Sequence, residues 1–275
     1  MIHQHTATLA STLFSALSCV AMMLTTGPAH ANSITLDVDA SSRYSKGSVR
    51  LKMVTINKGT EAADDIRVEV FLGDVHVESD TLARLDINED HEWFLELGAP
   101  PQPPGIHTIV IRIHYTDTFG HPVSGLHTTQ VFTGDVSPGE AFEADLEWTE
   151  MKESGSVTLS LSSQGDVAQE IACRLVLPVE LQCAEPSISL SLAPRGQASH
   201  AFSLRNTTAL RGSRYRIYAI MDFVKDGRHH SIQKPALLTI QPHKSMTRRA
   251  QSSWIAIALL LLIAFFIAQS RTREG

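Results

Sequence analysis

The sequence predicts an all-β body between two apolar ends, and three observations carry that expectation. Runs in which apolar and polar side chains alternate follow one another from Asn32 to Gln241. No stretch between the ends holds a helical period, and the second half repeats the first at an offset of about 107 to 109 residues.

The chain opens Met1-Ile-His-Gln-His5, runs mostly apolar from Leu9 to Leu24, and reaches Ala29-His30-Ala31 before Asn32. That is the layout of a secretory signal peptide over residues 1–31, with an A-x-A cleavage site, although no Lys or Arg precedes Arg43.

Strands follow. Ile66, Val68, Val70 and Leu72 share one face of a run whose other face carries Arg67 and Glu69. Trp93, Leu95 and Leu97 alternate with Glu92, Phe94 and Glu96, and Ile109, Ile111, Ile113 and Tyr115 oppose Val110, Arg112 and His114. Such period-2 runs predict half-buried antiparallel strands. Asn57-Lys-Gly59, Gly73-Asp74, Asn88-Glu-Asp90 and the proline-rich run from Ala99 to Gly105 part them as turns.

The repeat aligns His91–Leu97 with His200–Arg205, so that Trp93 meets Phe202 and Leu95 meets Leu204. It aligns Ile109, Ile111, Ile113 and Tyr115 with Ile217, Ala219, Met221 and Phe223. The turn Asp117–His121 then matches Asp226–His229. One copy is about 105 residues with roughly seven strands, the size and strand count of an immunoglobulin-like sandwich. The expected architecture is therefore two tandem immunoglobulin-like β-sandwiches, residues 32–134 and 135–242, with Gly134-Asp-Val-Ser-Pro-Gly139 as the linker.

A short stalk over 243–251 leads to the second apolar end. Ala250 to Ser270 carries no charge and lies between Arg249 and Arg271, with Trp254 at its start. About 21 residues at 1.5 Å each make roughly 31 Å of helix, the thickness of a bilayer's hydrocarbon core. The expectation is one transmembrane α-helix over 252–270, with residues 271–275 as a cytoplasmic tail. A signal peptide followed by one span places residues 32 to about 250 outside a bacterial cytoplasmic membrane. The basic residues around the span (Lys244, Arg248 and Arg249 before it, Arg271 and Arg273 after it) lean the other way, and the signal peptide decides the orientation.

Of 29 acidic residues only Glu274 lies outside 32–247, against four of the 23 basic ones, Arg248, Arg249, Arg271 and Arg273, so that part is more acidic than the chain's formal charge of −6. An acidic body without a basic patch argues against nucleic acid as a partner.

The run "TINKGTEAADDIRVEVFLGD" and the later "GIHTIVIRIHYTDTFGHPVSG" resemble the CARDB-type modules of bacteria and archaea and their relatives appended to exported glycosidases. In those, a Val-x-Asn-x-Gly strand and turn precedes an apolar strand and a late Gly, apolar alternation and Tyr-x-Asp. The resemblance covers nearly all of the first copy and thins in the second, where Ser163-Gln-Gly165 replaces Asn57-Lys-Gly59 and Phe223 replaces Tyr115. It implies an extracytoplasmic adhesion-like or scaffold role and transfers no catalytic residue.

The candidate sites are few. Cys173 and Cys183, the two cysteines left after signal removal, flank Pro178, and a hairpin turning there would set them opposite one another as a disulfide. Thirteen histidines follow no zinc-ligand spacing. Asp64-Asp65 and the acids from Asp86 to Asp90 lack the pattern of a calcium loop. The loop Tyr115-Thr-Asp-Thr-Phe-Gly-His121 offers Phe119 and His121 as a binding tip, with Asp117 capping the turn and Gly120 taking a positive φ. No nucleophile elbow, phosphate loop or cysteine with a base is present, so neither catalysis nor a cofactor is expected. The functional expectation is a non-enzymatic envelope protein that binds another protein. The alternatives are a module binding surface polysaccharide and an accessory subunit of a membrane enzyme or transporter.

Overall fold

A computed structural model describes residues 33–98, 103–134 and 142–242. The expected signal peptide, stalk, membrane span and tail, and most of the linker, lie outside the described residues. Among the described residues there are sixteen strands and no helix, hence no helix able to cross a membrane. The first half holds β1 (Leu36–Ser45), β2 (Ser48–Asn57), β3 (Ala63–Leu72), β4 (Val75–Glu78), β5 (Leu82–Leu85), β6 (Asp90–Leu97), β7 (Ile106–Thr116) and β8 (Pro122–Phe132). The second holds β9 (Glu143–Trp148), β10 (Ser154–Ser162), β11 (Gln169–Val176), β12 (Leu181–Cys183), β13 (Ser187–Leu192), β14 (Gln197–Asn206), β15 (Arg214–Lys225) and β16 (Arg228–Thr239).

Each half is two sheets facing each other across one core. In the first, β1-β2-β6 faces β4-β3-β7-β8, with β5 beside β3. Val49, Leu51 and Met53 of β2 meet Ile66, Val68 and Val70 of β3 and Ile109, Ile111 and Ile113 of β7, all essentially buried. In the second, β12-β14-β10-β9 faces β13-β11-β15-β16 around Val157, Leu159, Phe202, Ile217 and Met221. The alternation read from the sequence sets these faces, because a one-residue slip would turn every apolar side chain outward. The aligned residues hold corresponding places: Trp93 and Phe202 are core residues on β6 and β14, which pair with β2 and β10. The thinned turn also keeps its chemistry. Gly59 N–H donates to Asn57 Oδ1 at 3.0 Å, and Gly165 N–H donates to Ser163 Oγ at 3.1 Å.

The halves pack back to back. Val110 of β7 and Leu126 of β8 join Val176 of β11 and Tyr218 and Ile220 of β15 in a third apolar cluster. The face of β7 expected to look outward is therefore covered along its first half, and the alternation does not describe it. Polar contacts follow the seam: Thr108 Oγ1 and Ser231 Oγ are 2.7 Å apart, Gln130 Nε2 donates to Ser231 O at 2.9 Å, and the Glu180 carboxylate accepts from the N–H and hydroxyl of Ser124. Gly105, at the start of β7, bridges His229, at the start of β16, while Ser124 of β8, beside His114 near the far end of β7, meets Glu180. Because Phe223 and His230 pair beside the β15–β16 turn, that turn sits where β7 begins. The second half thus lies inverted against the first.

The segment between the cysteines corrects the expected hairpin and disulfide. β11 ends at Val176, the chain turns at Pro178, where Leu181 N–H donates to Pro178 O, and β12 joins the opposite sheet. Cys173 stands beside Ile188 and Met221, and Cys183 beside Leu204, so the two never face each other across one hairpin. Both touch the same core, and both thiols are free. The physical reason is the seam: the Val179 N–H and the Glu180 carboxylate are spent on Ser124, which draws the turn away from β11. Burial, with Asp222 adding to it, pushes the Cys173 thiol up to about 11.

Candidate binding loops

Three loops meet at one end of the first half. Registers order them: Ala63 of β3 pairs with Leu85 of β5 on one side, and Asp64 pairs with Thr116 of β7 on the other. The loop over 58–62 therefore lies between the loop over 86–89 and the loop over 117–121.

Each is braced from within. Asn57, fully buried, donates through Nδ2 to Glu61 O at 2.7 Å and Leu85 O at 3.2 Å, which ties the first loop to the second. Gly59 lies against the N-terminal segment so closely that a Cβ would stand 2.3 Å from Ser33 O, which makes the glycine a packing requirement. In the second loop Asn88 takes a φ of 62°, Glu89 O accepts the Asn57 N–H, and Glu89 Oε2 accepts the Asp86 N–H. In the third, Asp117 Oδ1 accepts the N–H groups of Phe119 (2.9 Å) and His121 (2.8 Å), and Oδ2 lies 3.0 Å from His121 Nδ1. Burial pushes the Asp117 carboxyl up, but the His121 N–H and ring and the Phe119 N–H outweigh it and hold it below its ordinary value. Gly120 has a φ of 78°, and Tyr115 packs on the core beneath. Thr118 Oγ1 donates to Glu61 Oε2 at 2.8 Å, joining the third loop to the first, while Glu61 Oε1 is buried without a partner.

This scaffold leaves Phe119 76% exposed and Ile87 48% exposed, with the His121 ring tilted 6.3 Å from the phenyl ring. A conformationally fixed aromatic at a loop tip can anchor a partner with little ordering entropy left to lose. The acids around it are engaged within the fold: Arg84 pairs with Asp64 (3.2 Å) and Asp86 (2.7 Å).

The histidines fall elsewhere. His107 and His229 stack at 4.3 Å and 11°, and His229 Nδ1 lies 2.7 Å from Ile106 O. Burial, then the neighbouring His229, pushes His107 down to about 4. His114 and Arg112 both contact Glu69, at 3.0 and 3.2 Å. Among the described residues no group of three or more His, Cys, Asp or Glu is placed to hold a metal.

No family model matches this chain, and neither does any curated protein. Solved structures superpose on parts of it. The native conformation of Escherichia coli alpha-2-macroglobulin is 12% identical over 76% of this chain and 17% of that one, with a TM-score of 0.33. Red sea bream transglutaminase is 11% identical over 77% of this chain and 31% of that one, with a TM-score of 0.28. A Porphyromonas gingivalis W83 protein of unknown function is 14% identical over 73% of this chain and 99% of that one, with a TM-score of 0.26. The chain spans about a sixth of the macroglobulin and under a third of the transglutaminase.

Proposed function

We propose that this chain is a non-enzymatic, single-pass envelope protein whose two immunoglobulin-like sandwiches present the three-loop end of the first as a protein-binding surface outside the cytoplasmic membrane. The observation that carries it is the Asp117 brace, which spends both carboxylate oxygens to hold Phe119 and His121 out in solvent. The immunoglobulin-like reading draws support from the strand order. β1-β2-β6 against β3-β7-β8 and β9-β10-β14-β12 against β11-β15-β16 follow the two-sheet order of that class, with extra edge strands and an early crossing to β12. The resemblance to CARDB-type modules fits the same role.

The test is a mild-detergent pull-down of tagged full-length protein beside its Phe119→Asp variant. Phe119 is exposed, so the variant keeps its fold while placing a charge at the anchor. The expected result is a stoichiometric protein partner lost on substitution, and a partner retained undiminished overturns the assignment of the surface. A second reading, polysaccharide binding, rests on the flat outer face of β1-β2-β6. There Phe94 is 71% exposed beneath Lys52 Nζ (5.6 Å to the ring centroid), next to a shallow hollow lined by Ser41, Arg43, Arg50 and Glu96. Loss of glycan affinity in Phe94→Ala, with Phe119→Asp silent, would favour it.

A further inference from the structure

The inverted packing of the second half decides which way the three loops point. Contacts lead step by step from the loop tip to the place where the described chain leaves the fold. His121 is followed three residues on by Ser124, whose N–H and hydroxyl hold the Glu180 carboxylate. The carbonyl of Glu180 accepts the N–H groups of Thr207 (2.9 Å) and Thr208 (3.4 Å). Leu210 N–H donates to the hydroxyl of Tyr215, Gly212 N–H donates to Ile240 O, and Gln241 N–H donates to Met151 O. Pro242 therefore leaves from the end of the stack that carries Phe119, and the opposite end carries Val167 and the β15–β16 turn. Had the halves been stacked in line, the first half's loops would have stood a whole sandwich further from the exit.

Seven residues separate Pro242 from Ala250, where the uncharged run begins. Even fully extended, the eight steps from one to the other span at most about 28 Å. We infer that the 86–89 and 117–121 loops face the membrane and that their partner is an integral protein of that same membrane, offering an apolar pocket to Phe119 close to the headgroup level; this rests on the protein-binding reading above and on the C-terminal span.

The side chains choose a protein over lipid. An aromatic meant for the headgroup region is flanked by basic or uncharged side chains. Here the exposed charged side chains of the loops and their strand ends are Lys58, Asp65, Asp86, Glu89 and Asp90, with Arg84 engaged by Asp64 and Asp86, so Phe119 and Ile87 lack the basic flank of a lipid-inserting aromatic. A protruding apolar anchor within a polar rim is the pattern of a protein contact. The tether also keeps the loops at a high local concentration with any partner in the membrane, so that two apolar anchors suffice without a large interface.

The experiment places a photo-crosslinking amino acid at position 119 of the full-length chain, with position 167 (Val167, 77% exposed at the opposite end) as control, and a protease site in the stalk. After irradiation of intact cells and cleavage of the stalk, membranes are washed in alkaline carbonate. The expected result is an ectodomain adduct from position 119 that stays with the membrane, none from position 167, and loss of that adduct when Ile87→Asp accompanies the probe. An adduct washed off with carbonate, an adduct of lipid mass, or equal adducts from both positions overturns the inference. Full-length protein that is itself extracted by carbonate without irradiation and cleavage refutes the span instead. A carbonate-stable chain whose position 119 gives no adduct refutes the protein-facing orientation.

Discussion

The seam between the halves makes the sharpest quantitative demand on the sequence. Glu180 is 1% exposed, and its carboxylate accepts both the Ser124 N–H and, at 2.7 Å, the Ser124 hydroxyl, whose oxygen accepts the Val179 N–H at 3.0 Å. Glu180→Ala leaves two buried donors without acceptors. At about 1–3 kcal/mol for each orphaned buried group, reduced by water entering the vacated space, the expected loss is about 3 kcal/mol. Ser124→Ala leaves the carboxylate with a single donor and the Val179 N–H with no acceptor, a loss of about the same size. Since both changes break one network, the double variant loses about 2 kcal/mol less than the sum. Urea unfolding of residues 33–242 measures this with one tryptophan in each half, Trp93 and Trp148, isolated by Trp→Phe changes at the other site. The unsubstituted chain is expected to show coincident transitions at both probes, and Glu180→Ala to separate them as the seam opens before the cores. A loss below about 0.5 kcal/mol, the range of ordinary surface substitutions, or strict additivity in the double variant would refute the reasoning.

Three further outcomes follow from named contacts. Asn57→Ala removes three hydrogen bonds, two to the 58–62 loop (Glu61 O and the Gly59 N–H) and one to Leu85 O, so global stability falls by about 2–4 kcal/mol and proteolysis begins at the loop end, as limited digestion would detect. Gly105→Ala sets a Cβ 2.0 Å from His229 O, a backbone atom that cannot turn aside; denaturant unfolding should show a loss of about 1–3 kcal/mol or more and early opening of the seam. For His107, the folded value of about 4 lies below the ordinary 6.5, so the folded chain binds fewer protons than the unfolded one between those values. The stability conferred by the neutral ring is full above pH 6.5 and is lost as pH falls toward 4, by about 2–3 kcal/mol. Thermal melts across that window should steepen in acid and flatten in His107→Gln, and an unchanged profile in the variant would remove His107 as the cause.

Period 2 made the inner faces legible. Ile66 to Leu72, Trp93 to Leu97 and Ile109 to Ile113 lie in the core as their alternation requires, and the repeat in the sequence matches Phe202 to Trp93, both of them core residues. The loop chemistry was legible for the same reason, since Asp117 and Gly120 act within five residues. What escaped were contacts between residues far apart in the chain. Thr108 and Ser231 are 123 positions apart, and nothing local marks either. One signal was present and read too simply: Ile109-Val110-Ile111 and Tyr218-Ala-Ile-Met221 are apolar on both faces, and strands of that kind are covered on both. The hairpin expected at Pro178 failed because its turn residues bond to the other half, which no hydropathy pattern encodes.

The stacked histidines at the seam carry the same lesson for function. A strongly displaced histidine near a carboxylate ordinarily marks a reaction centre. Here His107 is 2% exposed, its ring lies flat on His229, and Asp222 Oδ1 stands 3.7 Å from His229 Nε2. A base must reach its proton within about 3 Å or through one water, and a ring sealed between two sheets reaches neither. Its low value follows from burial and from a second imidazole alongside, both consequences of packing one sandwich on another. Asp117 stands in the opposite setting: bonds from its own loop hold its carboxyl below its ordinary value, and those bonds keep an aromatic and a histidine in water at the end from which the described chain departs. In this fold the burial that displaces a titratable group therefore marks the joint between the halves, and at the loop end polar groups are spent to keep an apolar one exposed, the feature on which the proposed binding surface rests.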